Sequence, residues 1–541
     1  MTTTHRFIAL IIIANLCAVS CARIISPTGG PEDEKGPELI SSNPKAGETG
    51  YSGNTLIFSF DERVQARSLE TDLVITPKPK GSFRSKITKN TVTLTFFEPF
   101  EDSTTYSINF ANSIQDVTNN NPAIGIGISF STGPYIDSLS IAGNVKNLYN
   151  QEPVENALVS LYQLQDSLDI IKGSASYYSK TDSLGNYTFQ NLPSGSFRIY
   201  SVRDKNNNGI ADTDKEQYGF YADTLELSNS LEGIDMTLQN LSTEDLRTVS
   251  ARSFGTYYDI TFNKAIEDFK ILSGQELIYH PFSEEKIRFY NTSRTFEDTT
   301  QLIYSVKDSL NFTLVDTADF YFVESKLSKT NFTYQFTESS PGILDIDTLS
   351  IEFTKPVLTI NADSLNFIRD SVNIISLDTS LFQWNEYRTE VKYPVTAETM
   401  FSTNSQSAIF DIRSAAFISV DLDSSKGQQK TITKLLAENT ATISGTVTSS
   451  SNNVLVQLLD SRTLNVIKQS TEKNFTFPYI PAGRYQVRVI KDINGNGKWD
   501  IANILTNSVS EPAKFYFDDF YNTKIIEVRK NWEQTDVNVI F

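Results

Sequence analysis

The sequence predicts an all-β fold, a succession of sandwich modules along one chain, and three observations predict it. Apolar and polar residues alternate over short runs. Leu56, Phe58 and Phe60 share one face of a strand, and Val92, Leu94 and Phe96 face away from Thr91, Thr93 and Thr95. The 24 Tyr and 35 Phe suit pleated, half-buried strands. Two different sequence patterns also recur along the chain. With 541 residues, 39% hydrophobic and 21% charged, several cores can form, about four to six sandwiches at roughly 100 residues each.

The rare residues narrow the chemistry. The only cysteines are Cys17 and Cys21, both near the N-terminus. The modules therefore have no disulfide to draw on, and their cores depend on burial alone. The histidines are His5 and His280, and the formal net charge is -18. A field of that sign repels nucleic acid phosphates, so DNA and RNA are not expected partners; it suits a solvated extracytoplasmic surface.

Residues 1–20 read as a leader. His5 and Arg6 precede the apolar run from Phe7 to Leu16, which is shorter than the about 20 residues of a spanning helix. Ala18-Val19-Ser20-Cys21 resembles a lipobox, which implies cleavage before Cys21 and its acylation, palmitate being one such chain. Several acyl chains anchor stably because each buried CH₂ contributes about 0.8 kcal/mol. The alternative is an ordinary secretory cut after Ser20 that leaves a free thiol. Residues 21–36, with Ser26-Pro27-Thr28-Gly29-Gly30-Pro31, read as an extended tether.

Residues 37–134 form the first module. Its strands carry Ser42-Asn43-Pro44, Phe58-Ser59-Phe60 with Val64, Val74-Ile75-Thr76-Pro77, Tyr106, and Asp116 before an Asn-rich turn. This stretch resembles the bacterial Ig-like domain family first described in S-layer proteins. The pattern Leu56-Ile57-Phe58-Ser59-Phe60-Asp61-Glu62-Arg63-Val64 returns as Tyr258 to Ile266 and as Leu349 to Val357. In each copy a polar pair makes a turn and the last apolar residue returns to the core. Residues 242–337 and 338–437 are therefore expected to be Ig-like too, without the Ile-Thr-Pro element of the first copy.

The second repeat joins residues 135–241 to residues 438–541. Ile141-Ala142-Gly143-Asn144-Val145 matches Ile443-Ser444-Gly445-Thr446-Val447. Tyr187 to Phe197, with Pro193-Ser194-Gly195, matches Phe475 to Tyr485, with Pro481-Ala482-Gly483. These segments resemble the transthyretin-like, carboxypeptidase-regulatory β-sandwich, which implies an accessory or stalk role without catalysis. The expected architecture is thus an elongated array of Ig-like, transthyretin-like, Ig-like, Ig-like and transthyretin-like modules.

Each second-type repeat contains a loop of oxygen-bearing side chains. Asp204, Asn206, Asn208 and Asp212 hold positions 1, 3, 5 and 9 around Gly209, and Asp492, Asn494, Asn496 and Asp500 repeat that spacing around Gly497. Ca²⁺ takes 6–8 hard oxygens in a flexible cage, and this spacing supplies them. Lys215 and Asn503 stand where an EF-hand has its bidentate glutamate, so the expected role is structural stiffening at weak affinity, about 10⁻⁴–10⁻³ M. The alternative is an ion-free Asn-Gly turn.

No catalytic inventory emerges. With one histidine outside the leader, a serine triad, a cysteine–histidine pair and a His-rich zinc site are all poorly supplied. His280 reads as a strand-end residue. Paired carboxylates stay open among 65 acidic residues, with no local pattern to single out a pair. Trp384, Trp499 and Trp532 are read as core or turn residues, with sugar stacking as the other reading. Asp-Ser-Leu occurs at Asp137, Asp166, Asp182, Asp308 and Asp363, with related triplets at Asp223, Asp347 and Asp370. These resemble an O-glycosylation sequon used on exported proteins by some Gram-negative phyla; equally, they suit turns that lead into strands.

The functional expectation is a non-enzymatic outer-membrane lipoprotein, held at the cell surface or on the periplasmic face. It would act as a structural or protein-binding module of the envelope, for instance as an accessory subunit of an outer-membrane β-barrel complex. The alternative is a glycan-binding surface lipoprotein of a nutrient-uptake system.

Overall fold

The computed structural model describes residues 34–541, apart from the short stretches 68, 111–112, 124, 214, 241, 256, 274–276, 293–298, 324–329, 338–341, 345, 371–372 and 402–404. It is all-β, a tandem series of sandwiches whose strands pair antiparallel except where Leu139–Asn147 and Ala441–Thr448 take parallel partners. Among the described residues no helix is long and apolar enough to cross a membrane. The leader and Cys21 lie outside the described residues.

In the first module the alternation predicted from sequence becomes a core. Thr55–Phe60 pairs with Thr91–Phe96, and every second residue of both strands is buried. Leu56, Phe58, Phe60, Val92 and Leu94 are inaccessible to solvent. Burying a side chain of this size contributes about 1.5–3 kcal/mol, and Phe58 adds an edge-to-face contact with Phe110 at 4.7 Å. Leu39–Asn43 and Phe83–Thr88 complete that sheet. Facing it are Val74–Thr76, Thr105–Asn109 and Gly127–Ser131.

The three copies of the pattern, centred on Phe58-Ser59-Phe60, Ile260-Thr261-Phe262 and Ile351-Glu352-Phe353, occupy equivalent places. In each, an early strand pair is joined by a later hairpin in a four-stranded sheet. The third module uses Thr248–Phe254, Tyr257–Phe262, Lys286–Tyr290 and Tyr279–Ser283 in that order. The fourth uses Tyr334–Thr337, Ile346–Phe353, Glu390–Thr396 and Gln383–Trp384. Tyr334 and Phe336, just before the seam expected at 337/338, pack on the fourth core. The first and fourth modules share a further two-stranded ladder, Val64–Ala66 with Ile114–Asp116 and Val357–Ile360 with Phe417–Ser419.

One detail differs from the simple picture of a polar turn after this strand. The second polar residue is buried in the third and fourth modules. Lys264 meets Asp308 at 2.6 Å, and Lys355 meets Asp421 at 2.7 Å and Asp423 at 2.5 Å. An ammonium is tolerated inside only because carboxylates reach it there.

The second and fifth modules are duplicates. In the second, Leu139–Asn147 lies between Asn186–Leu192 and Met236–Leu238, and the opposite sheet runs Tyr177–Lys180, Leu158–Gln163, Gly195–Val202, Tyr218–Phe220. The fifth repeats this order. Ala441–Thr448 is flanked by Asn474–Ile480 on one side and on the other by Trp532–Gln534 and by Val539–Ile540, the counterpart of Met236–Leu238, and the opposite sheet runs Val466–Ser470, Leu455–Asp460, Gly483–Ile490, Ala513–Phe515. Asn191 and Tyr479, at matching places before the Pro-x-Gly turn, both take a left-handed backbone.

Neighbouring modules are fastened by side chains. The Asn191 carboxamide accepts hydrogen bonds from the Ser107 and Ser129 hydroxyls of the first module and donates to the Asp137 carbonyl at 2.8 Å. Tyr279 and Tyr387 bring the third and fourth modules together, their rings 5.7 Å apart. The tandem array also contains a contact that linear order does not imply. The fifth module docks on the second.

Candidate functional site

The two Asp/Asn loops each follow the strand after the Pro-x-Gly turn, Gly195–Val202 in one module and Gly483–Ile490 in the other. In both, the residues singled out from sequence converge. Asp204 accepts the backbone N–H groups of Asn208 and Gly209 at 3.1 and 2.9 Å. The side-chain amides of Asn206 and Asn208 donate to Asp212 Oδ2 at 2.6 and 3.5 Å. Asp492 accepts from the N–H groups of Gly495, Asn496 and Gly497, and Asn494 and Asn496 donate to Asp500 Oδ2 at 2.5 and 2.9 Å. Gly209 and Gly497, with φ of 76° and 72°, supply the left-handed turn.

A third acid holds each loop, and sequence reading missed it. Glu216 accepts from the N–H groups of Lys205 and Asp212 at 2.7 and 3.1 Å. Glu511 accepts from those of Ile493 and Asp500 at 2.6 and 3.1 Å. Both glutamates are buried. Glu216 follows Asp204 by twelve residues and Glu511 follows Asp492 by nineteen, and this unequal spacing hides their equivalence. Among the described residues no group of three or more His, Cys, Asp or Glu gathers as a metal site. Each loop thus offers two carboxylates and two carboxamides. These suit a hard cation by donor type and are short of charge for a tight one.

Both loops run into the docking surface between the two duplicates. Ala211, which precedes Asp212, and Ala502, just beyond Asp500, share one apolar cluster with Ile170, Tyr218 and Phe220. The Gln239 carboxamide accepts from the N–H of Ala502 at 2.9 Å and donates to its carbonyl. Trp499, inside the second loop, donates to the Glu511 carbonyl at 2.9 Å and meets Tyr149 of the second module edge to face at 6.0 Å. Its ring also covers Arg488 at 4.4 Å. Arg488 donates to Gln457 and to the Tyr149 carbonyl, and burial brings its pKa down to about 10. Lys524 closes the edge on Glu152 at 2.6 Å.

The other candidates sort by environment. His280 is buried and stacked on Tyr290 at 5.7 Å, and burial, with Arg288 nearby, lowers its pKa to about 4. Several buried carboxylates are committed to cations, including Asp259 in a bidentate pair with Arg288 at 2.8 Å. Trp384 stacks on Phe353 in the fourth core, while Trp532 is 42% exposed. Asp182 and Asp308 accept from backbone N–H groups two and four residues on, as Asp-initiated turns do. The neighbouring hydroxyls of Ser138, Ser167, Ser183, Thr224, Ser309 and Thr348 belong to exposed residues, and Ser364 is buried. Ser371 lies outside the described residues.

Residues 33–132 match the family model of the bacterial Ig-like domain, in agreement with the resemblance seen in the first module. No curated protein matches the chain by sequence. Among solved structures, the major pilin subunit of Bacillus cereus is 12% identical, covering 75% of this chain and 99% of its own at a TM-score of 0.14. Domains 1–6 of the surface layer protein SbsC are 11% identical, covering 91% of this chain and 68% of their own at 0.16. An L,D-transpeptidase from Mycobacterium smegmatis is 14% identical, covering 38% of this chain and 89% of its own at 0.14. Likeness at these scores carries no functional information.

Proposed function

We propose that this chain is a non-enzymatic outer-membrane lipoprotein, anchored through acylated Cys21, which presents a rigid set of β-sandwich surfaces to other envelope proteins. The observation that carries this reading is the docking of the fifth module on the second. A set of modules closed in this way keeps its outer faces at fixed mutual positions, which an assembly subunit requires. The bacterial Ig-like match at residues 33–132 supports a cell-surface setting. Ca²⁺ in the two Asp/Asn loops would stiffen the same docking surface, because Ala211, Trp499 and Ala502 belong to it.

Protease shaving of intact cells, followed by co-purification of the tagged chain from detergent-solubilised membranes, tests this. Cleavage on intact cells together with a recovered β-barrel partner is expected. A solitary monomer would remove the subunit reading, and a chain that stays in the aqueous phase would remove the anchor. A second reading, glycan capture for nutrient uptake, draws support from the exposure of Trp532.

A further inference from the structure

The two duplicated modules differ at one edge. In the second, residues 221–224 connect Tyr218–Phe220 to Leu225–Leu227, whereas in the fifth residues 516–525 connect Ala513–Phe515 to Ile526–Val528. The longer connection folds into a tight turn. Asp518 and Thr523 exchange backbone hydrogen bonds of 2.8 and 3.2 Å, and Asp518 Oδ1 accepts the N–H groups of Phe520 and Tyr521, both at 3.0 Å. The turn thereby holds two large aromatics out in solvent, Phe520 at 87% and Tyr521 at 73% exposure, with their rings 4.9 Å apart. Water-exposed aromatic surface on a braced turn costs solvation without adding to a core, which is the signature of a recognition element.

A groove of about 530 Å³ opens beside this turn, within the size range of ligand sites. Its floor is the outer face of the strand pair in which Arg484 lies opposite Glu527, while Ile526 and Val528 point into the core. One wall is the turn with Tyr521 and Asp518, and the other is Trp532 with Arg529, whose guanidinium lies 5.6 Å from the indole. By the strand pairing, Gln534 faces Ile443 as Leu231 faces Ile141 in the duplicate module, so Trp532 takes the place of Asn229. The aromatic wall and the long turn both belong to the fifth module and not to its twin.

The lining chemistry selects the occupant. Arg484 and Arg529 balance Asp518 and Glu527, so within a chain of net charge -18 this groove carries no net charge. An anionic headgroup, a phosphopeptide or a basic peptide would find a like charge for each opposite one. A pyranose ring has a C–H face that packs on an aromatic ring and an equatorial belt of hydroxyls that both donate and accept. Guanidinium and carboxylate groups side by side satisfy such hydroxyls in both senses. We propose that the groove between Trp532 and the 518–523 turn binds an uncharged oligosaccharide. This assignment deepens the glycan reading and rests on it.

The test uses the full mature chain in detergent, titrated with neutral gluco-, manno-, xylo- and galacto-hexasaccharides and with charged polygalacturonate as the contrasting probe. Calorimetry and tryptophan fluorescence report binding. One neutral hexasaccharide is expected to bind, with Trp532→Ala weakening it tenfold or more and Tyr521→Ala several-fold. Tyr521 sits on the exposed turn, so its variant stays folded even if loss of Trp532 disturbs the adjoining strand. Equal binding by both variants and the parent would overturn the groove and leave the glycan reading standing. Binding of no neutral sugar would overturn both, and binding of polygalacturonate alone would overturn the assignment of an uncharged ligand.

Discussion

The side-chain amide of Gln239 grips both backbone polar groups of Ala502, a residue 263 positions away. A buried glutamine placed this way acts as a one-residue strand partner, satisfying a donor and an acceptor that docking would otherwise strand.

Gln239→Leu should therefore loosen the second and fifth modules from each other without unfolding either. The two orphaned groups of Ala502 would cost about 1–3 kcal/mol each. Faster hydrogen exchange at the Ala502 amide and a larger radius of gyration in solution scattering are the expected results. Unchanged exchange would show that the docking surface does not depend on this grip.

Lys355→Met should destabilise the fourth module strongly. The ammonium is almost wholly buried against Asp421, and removing one member of a buried pair costs about 3–5 kcal/mol because the other charge is left alone. Trp384, stacked on Phe353 of that module, reports its unfolding by fluorescence. The denaturant midpoint should fall, and the double change Lys355→Met with Asp421→Leu should recover much of the loss.

The third module should weaken in mild acid. Burial holds His280 near a pKa of about 4, below its ordinary 6.5. Above pH 6.5 the imidazole is neutral in both folded and unfolded chains and contributes nothing. As pH falls from 6.5 towards 4 only the unfolded chain takes the proton, so stability is lost across that window, up to about 3 kcal/mol. Pulse-labelling hydrogen exchange of strand Lys286–Tyr290 between pH 7 and 5 measures this, and His280→Phe should flatten the slope.

Calorimetry should detect Ca²⁺ uptake at about 10⁻⁴–10⁻³ M, with Asp212→Ala and Asp500→Ala each removing one site. Because Trp499 and Ala502 couple the second loop to the docking surface, Ca²⁺ should also slow exchange at Ala502. An absence of heat in the parent chain would assign both loops as ion-free turns.

Intact mass of the membrane-extracted chain should exceed that of the polypeptide beginning at Cys21 by its acyl groups. Cys21→Ser should move the chain to the aqueous phase. Any further mass reports glycosylation at the exposed hydroxyls of the Asp-Ser/Thr triplets, Ser183 and Ser309 among them. Mass equal to lipid plus polypeptide would leave those triplets as turns.

By itself the sequence determined the all-β class and the buried face of its strands. Period-two alternation around Phe58, Ile260 and Ile351 places side chains on a buried face wherever a strand forms, and duplicated stretches such as Ile141 to Val145 and Ile443 to Val447 fold alike because the same local pattern meets the same partners. It also brought out the Asp/Asn loops, whose members are near in chain. Only the tertiary structure decided what joins distant positions: Gln239 on Ala502, Lys355 between two aspartates, Glu511 beneath its loop, and Trp532 in a groove rather than a core. Short-range periodicity encodes which side of a strand is apolar. The identity of a partner hundreds of residues away depends on how whole modules pack, and no local pattern carries that.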